Sequence, residues 1–274
     1  SVRSQGFDGH FAYKQKINRV NLTVRGNFTY SKNEILEKDE ENTVYPYQTE
    51  AGYRVNQAKG LIALGLFKDY DDIRNSPQQT AWGKVQPGDI KYVDVSGDGV
   101  VNSNDMTYLG NGNIPEIIYG INGALNWKNL DFSFLFQGAA RVQVYLQGGV
   151  IQPYFNQGNL PQFWVNESWT EQNINAKYPR LTNSIHNNPT TDISGVQTYL
   201  YDASYLRLKN IEIGYTFPSK WLKSAAINGL RVYVNAQNLF TISDVPQIDP
   251  ENTQQQGWTY PQMKAFNVGL TLQF

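Results

Sequence analysis

From Lys264 to Phe274 the chain alternates so strictly that few conformations remain open to it. Phe266, Val268, Leu270, Leu272 and Phe274 fall on one side, and Ala265, Asn267, Gly269, Thr271 and Gln273 on the other. A period of two is the geometry of a β-strand with one apolar and one wet face. The same alternation sets Val20, Leu22, Val24, Gly26, Phe28 and Tyr30 against Asn21, Thr23, Arg25, Asn27 and Thr29. It recurs at Ile117, Tyr119, Ile121, Gly123, Leu125 and Trp127, and after a Lys128-Asn129 turn Leu130, Phe132, Phe134 and Phe136 continue it on a returning strand. Residues 116–147 therefore read as a hairpin.

Two further strands are predicted at 203–217 and 229–241. In the first, the apolar phase slips from Leu206 and Leu208 to Ile211, Ile213 and Tyr215, which predicts a bulge near Asn210. With an opening strand at about 6–14, seven strands result, several near the ~9–11 residues that a tilted membrane strand needs. The connections near 15–19, 128–129 and 218–228 are short, and those at 38–115, 148–202 and 242–263 are long. Strict alternation of the two kinds is the pattern of an up-and-down transmembrane barrel, with short turns on one side and long extracellular loops on the other. The fold class expected is all-β, an antiparallel transmembrane β-barrel portion. Seven strands alone would leave open edges in lipid, where each unsatisfied backbone group costs several kcal/mol, so the whole of 1–274 is expected to be one segment of a larger barrel.

Composition agrees. No stretch approaches the ~18 apolar residues of a membrane helix, and mean hydropathy is −0.50, as alternating strands allow. There are 18 Tyr and 23 Gly, which suits aromatic girdles and strand bends. Lys and Arg number 23 against 24 Asp and Glu, so no net field exists to hold nucleic acid. Cysteine is absent, the histidines are His10 and His186, and no Gly-x-Ser-x-Gly elbow occurs, so no thiol or serine-triad enzyme is expected.

One segment within 38–115 carries chemistry of its own. Asp94 to Asp105 fits a twelve-position EF-hand-type loop, with oxygen donors at Asp94, Ser96, Asp98, the Val100 carbonyl, Asn102 and Asp105, and with Gly99 at the sharp turn. The ion expected is Ca2+, with Mg2+ second, in a structural role that staples the long loop. The neutral Ser96 and the short Asp105 in place of Glu lower the expected affinity. No capped helix pair flanks the loop, so no switch is expected.

The stretches Pro87-Gly88-Asp89-Ile90-Lys91-Tyr92-Val93-Asp94, Ser96-Gly97-Asp98-Gly99, Ile114-Pro115-Glu116-Ile117-Ile118-Tyr119-Gly120, Phe134-Leu135-Phe136-Gln137-Gly138, Tyr178-Pro179-Arg180-Leu181, Asp202 to Asn210 and Asn238-Leu239-Phe240 follow in order along the chain. Together they resemble the C-terminal barrel region of the SusC/RagA-type TonB-dependent outer-membrane transporters of Bacteroidota. That resemblance implies a plugged barrel of about 22 strands in the outer membrane of a Gram-negative bacterium. It also implies import of an oligosaccharide or peptide, energy from TonB through an N-terminal part, and a SusD-like lipoprotein at the mouth. The remaining barrel and plug would be supplied by a preceding or cleaved segment.

The competing reading is a soluble, calcium-stapled β-sandwich that binds carbohydrate, with Phe163, Trp164, Trp169, Tyr178, Trp258 and Tyr260 stacking on sugars. In a barrel these aromatics pack loops or interface girdles. The candidates for a polar lumen are Arg207, Arg231, Asn235 and Gln237, which oppose the apolar faces.

Overall fold

A computed structural model describes residues 1–41, 43–182, 188, 197–222, 227–246, 248–252 and 259–274. His186 and Trp258 lie outside the described residues. Strands β1 (Val2–Ile17) and β2 (Val20–Ile35) make the first hairpin, and the connection that follows holds β3 (Ala58–Gly60), β4 (Ala63–Leu66), helix α1 (Tyr70–Arg74), β5 (Ile90–Tyr92) and β6 (Thr107–Leu109). Strands β7 (Ile117–Trp127) and β8 (Leu130–Ala140) make the second hairpin, followed by β9 (Gln143–Tyr145), α2 (Gln162–Glu167) and β10 (Leu200–Asp202). The last elements are β11 (Tyr205–Thr216), α3 (Ser219–Leu222), β12 (Gly229–Gln237), β13 (Thr241–Ser243) and β14 (Ala265–Gln273).

One antiparallel sheet runs β1-β2-β7-β8-β11-β12-β14, with β13 also paired to β11. Each strand lies beside its predecessor in this series, so the short connections fall at one end of the sheet and the three long ones at the other. The two tightest turns, Asn18-Arg19 and Lys128-Asn129, each begin at positive φ, 52° and 55°. The conformation suits Asn18 and is less natural for Lys128, whose ammonium sits 5.0 Å from the centre of the Trp127 ring.

Register carries each face across the sheet unbroken. Leu22, Leu125, Phe132, Ile213, Val234 and Val268 stand directly opposite one another in successive strands. The adjacent row, one residue along, is Thr23, Ala124, Ser133, Glu212, Asn235 and Asn267. The phase survives β11 because the register shifts between Leu208 and Asn210, the bulge that the sequence predicted there. Without that extra residue, Ile211, Ile213 and Tyr215 would point to the wet side. Gly138 faces Tyr119 across the β7–β8 pair, and a Cβ there would collide with the Tyr119 ring and the Tyr205 carbonyl. The missing side chain lets the ring lie against the sheet.

The apolar face is open. Ile121, Ile213 and Val234, all on interior strands, are 43%, 45% and 48% exposed. The packed core lies instead in the long connections, where Leu61, Ile90, Tyr92, Val101 and Met106 of the first meet Val142, Leu146, Trp164, Tyr178 and Tyr199 of the second. These two connections form one body. Arg180 Nε donates to Asp89 Oδ1 at 2.7 Å and Asn188 Nδ2 to the same oxygen at 3.0 Å.

Several boundaries differ from expectation. The opening strand covers Val2–Ile17 instead of 6–14, because polar residues on both faces of its outer half hide the period while the backbone still pairs with β2. The second hairpin ends at Ala140 instead of 147: Arg141 turns at φ 58°, and β9 leaves to pair with β10. Strand β12 ends at Gln237, and Asn238, at φ 51°, breaks the run before β13. A soluble sandwich is excluded as the architecture, because the other sheets among the described residues are three two-stranded ribbons and none forms a second layer.

Candidate functional site

The wet face of the sheet is the first candidate surface, and Arg207, Arg231, Asn235 and Gln237 do share it, opposite Gln137, Thr216, Glu212 and Asn210. Around Arg231 its charges are paired. Arg231 pairs with Asp131, Nε to Oδ1 at 3.1 Å, and with Glu212, Nη2 to Oε1 at 2.6 Å. Asn235 reaches Glu212 Oε2 at 3.4 Å and accepts from Asn267 Nδ2 at 2.9 Å. This part of the wall presents amides and closed ion pairs.

Arg207 departs from the lumen-lining role that its alternation suggested. Its side chain is 2% exposed and is held by Asp249 at 2.6 Å, Glu251 at 3.1 Å and Thr241 Oγ1 at 2.8 Å. Lys209, the extra residue of the bulge, binds Glu251 at 2.8 Å. Asp249 and Glu251 lie 42 and 44 residues beyond Arg207, and nothing in the local sequence marks them as partners. Sequence reasoning also missed Glu116, 1% exposed at the start of β7, between Arg54 at 3.4 Å and Arg141 at 2.8 Å. A lone carboxylate at the head of an apolar strand was the available signal.

In the loop 94–105 the predicted carboxylate donors accept hydrogen bonds from the loop itself. Asp94 Oδ2 accepts the Gly99 amide at 2.8 Å, and Oδ1 accepts those of Gly97 and the Ser96 hydroxyl at 2.7 and 3.1 Å. These bonds, the Gly99 amide foremost, hold the Asp94 carboxyl below its ordinary value. Asp105 is fully buried: Oδ1 accepts Val95 and Ser96 amides, both at 2.9 Å, and Oδ2 accepts Asn102 at 2.7 Å. Asp98 accepts Val100 N–H at 2.8 Å, and Asn102 Oδ1 accepts Asn104 N–H at 2.7 Å. Gly99 has φ +85°, which only glycine adopts without strain. The Tyr47 phenol, which donates to the Asn104 carbonyl at 2.7 Å, is raised by burial and then by the charges of Asp105, Tyr45, Asp94 and Asp98. Among the described residues no cluster of three or more His, Cys, Asp or Glu side chains converges closely enough to share a metal. The donors are engaged by the loop's own N–H groups.

The aromatics proposed for sugar stacking divide. Trp164 and Tyr178 stack at 4.9 Å inside the loop core, and Trp164 Nε1 donates to the Ile151 carbonyl at 2.7 Å. Phe163 packs against Tyr178, and Trp169 covers Gly88. These four hold the loops together. Tyr260 is exposed.

A comparison with protein-family models finds no match. TonB-dependent receptor P26 of Formosa agariphila is 31% identical over 232 residues, 78% of this chain and 22% of that protein. TonB-dependent receptor SusC of Bacteroides thetaiotaomicron is 27% identical over 259 residues, 90% of this chain and 24% of that protein. The chain belongs to the SusC/RagA-type TonB-dependent receptors. It spans between a fifth and a third of the length of the curated relatives it matches. The solved RagAB peptide transporter superposes with TM-score 0.71 over 99% of this chain and 29% of its own, at 21% identity. A RagAB peptide importer in an open-open state gives 0.70 at 22% identity. The sheet therefore has the fold of part of a receptor barrel, in which an exposed apolar face is the side turned to lipid.

Proposed function

We propose that this chain is the C-terminal barrel region of an outer-membrane importer of Gram-negative bacteria that takes up an oligomeric nutrient, oligosaccharide or peptide. The single observation that carries this is the unbroken apolar row from Leu22 to Val268, with Ile213 and Val234 exposed on interior strands, beside a row of Thr23, Ser133, Glu212, Asn235 and Asn267 that Ala124 alone interrupts. Water would penalise such a face and lipid rewards it, while the polar row suits a solvated lumen. The relatives named above are receptors and importers, not enzymes.

Strands β1 and β14 are the edges of the sheet and are not paired with each other. Backbone groups at an open edge cannot face hydrocarbon, so the remaining barrel strands complete the wall, and an N-terminal plug fills its lumen. Energy comes from TonB through that N-terminal part, and a SusD-like lipoprotein covers the mouth. The long connections, 38–115 among them, face outward from the cell. Within them the loop 94–105 binds Ca2+, with Mg2+ as the weaker alternative, through Asp94, Ser96, Asp98, the Val100 carbonyl, Asn102 and Asp105. The support for this is the twelve-position spacing, with Gly99 at φ +85° in its sixth place.

The test is mass spectrometry of the intact complex, extracted in detergent without boiling and then denatured. A stable assembly containing this barrel region and a lipoprotein supports the proposal. A protein that stays soluble without detergent and binds nothing refutes it.

A further inference from the structure

At the side of the short connections the apolar face ends on a row formed by Val20, Trp127, Leu130, Tyr215, Val232 and Leu270. Beyond that row two connections are tied together. Asn129 Nδ2 donates to the Thr216 carbonyl at 2.6 Å, and the Thr216 N–H donates to the Asn129 carbonyl at 2.8 Å. The tie sets Trp127 and Lys128 beside the start of the next connection, where Tyr215 meets Phe217 edge-on at 5.1 Å and Phe217 meets Trp221 at 6.3 Å. Trp127 and Trp221 are 47% and 60% exposed, and the strands that carry this seam are interior to the sheet. Exposed Trp and Tyr at the border of an apolar band mark the level where hydrocarbon gives way to headgroups, because the ring body is apolar and its N–H or O–H is wet.

The charge at this level has one sign. Lys16, Arg19, Lys128, Lys220 and Lys223 fall in the connections 15–19, 128–129 and 218–228, which contain no Asp or Glu, whereas in the long connections acids outnumber cations two to one. Lys223 lies outside the described residues. Arg19, Lys128 and Lys220 are exposed, and among the described residues no carboxylate pairs with any of them. The Lys128 ammonium sits over the Trp127 ring, 5.0 Å from its centre, so it is carried on the apolar side of the wall. Arg19 adjoins it, because the next residue, Val20, stands opposite Trp127. The acids of the polar face at this end, Asp131 and Glu212, are already held by Arg231.

We propose that the turn 127–129 and the segment 217–221 form a docking surface for the headgroup of an anionic phospholipid in the leaflet on the short-turn side. The Trp127 and Trp221 rings lie among the upper carbons of its acyl chains, and Lys128 and Lys220, with Arg19 alongside, face its phosphodiester. The proposal rests on the outer-membrane reading, because this rim meets a headgroup layer only if the apolar face meets hydrocarbon. Charge selects the lipid: cations without carboxylate partners favour a headgroup of net negative charge over a zwitterionic one.

The experiment uses the full-length receptor in phosphatidylethanolamine vesicles that carry a small fraction of a photoreactive lipid. The probe is either phosphatidylglycerol or phosphatidylcholine, with the same diazirine-bearing acyl chain, and labelled peptides are mapped by mass spectrometry. Peptides covering 127–129 and 217–221 should be labelled at least about five-fold more by the phosphatidylglycerol probe, the weight of a single cation at an anionic surface. Peptides around Ile121 and Val234 should be labelled equally by both. Arg19→Gln, Lys128→Gln and Lys220→Gln combined should bring the preference to unity, and resistance to unfolding in detergent without boiling checks that this variant's barrel has formed. Inorganic phosphate should compete no better than sodium chloride at equal ionic strength. Equal labelling of the rim by the two probes, a preference that survives the combined variant, or specific displacement by inorganic phosphate overturns the docking surface while leaving the importer reading intact. Absence of label around Ile121 and Val234 with both probes overturns the importer reading instead.

Discussion

Val234→Arg places a charge where lipid is expected, and the size of its effect follows from position. Val234 is five residues beyond Gly229, the first residue of β12. At a rise of about 3.3 Å per residue that is roughly 17 Å along the strand. With a tilt of about 40°, it is about 13 Å along the barrel axis, near the middle of an apolar band about 25 Å tall. An arginine at that depth costs about 2–4 kcal/mol, or roughly 30- to 700-fold in the folding equilibrium. The assay is denaturant unfolding of the full receptor refolded into lipid vesicles, followed by tryptophan fluorescence. Asn235→Arg is the control. Its side chain lies on the other face of the same strand beside Glu212, and it should cost no more than about 1 kcal/mol. If Val234→Arg costs under about 0.5 kcal/mol, as a substitution on a water-facing surface does, or if the two variants cost the same, the assignment of the apolar face to lipid is wrong.

Glu116→Ala should destabilise the receptor by about 3–5 kcal/mol in the same assay, because it leaves Arg54 and Arg141 without their carboxylate. Gly138→Val should cost about 1–3 kcal/mol by displacing the Tyr119 ring, with the loss reduced in a Tyr119→Ala background. Chelation of calcium should speed proteolysis within 94–105, and Asp98→Asn should make the untreated receptor behave like the chelated one; equal rates throughout would remove the metal. The Asp94 carboxyl is held below its ordinary 3.8, so the order it lends the loop is complete above that pH and is lost as pH falls through the lower folded value. An acid titration of loop protection by hydrogen exchange would detect this.

How much of this was legible in the sequence depends on whether the controlling contact is local. Strands β12 and β14, the Lys128-Asn129 turn and the bulge beside Asn210 could be read because period and phase slip are written within a few residues. The alternation of short and long connections followed from them. Strand ends were not legible where pairing outlasted the pattern, as in β1, or where a distant partner claimed the chain, as when β9 turned to β10 some 55 residues away. The loop core had no period to find, so Trp164 and Tyr178 looked available for ligands when they are buried against each other. Arg207 was assigned the right face and the wrong surroundings, since Asp249 and Glu251 reach it only through the fold. The spacing of the loop 94–105 is written in the sequence, but the backbone N–H groups that its Asp94 and Asp105 carboxylates accept from are not.

The central claim is that one face of this sheet meets lipid and the other meets water. It is tested most directly by nitroxide labels placed singly from Leu230 to Gln237 in the reconstituted receptor, with collision rates measured for oxygen and for a water-soluble nickel chelate. The account predicts a period of two, with oxygen favoured at Leu230, Val232, Val234 and Ala236 and the chelate favoured at Arg231, Tyr233, Asn235 and Gln237. Equal access of the chelate to all eight positions would contradict it.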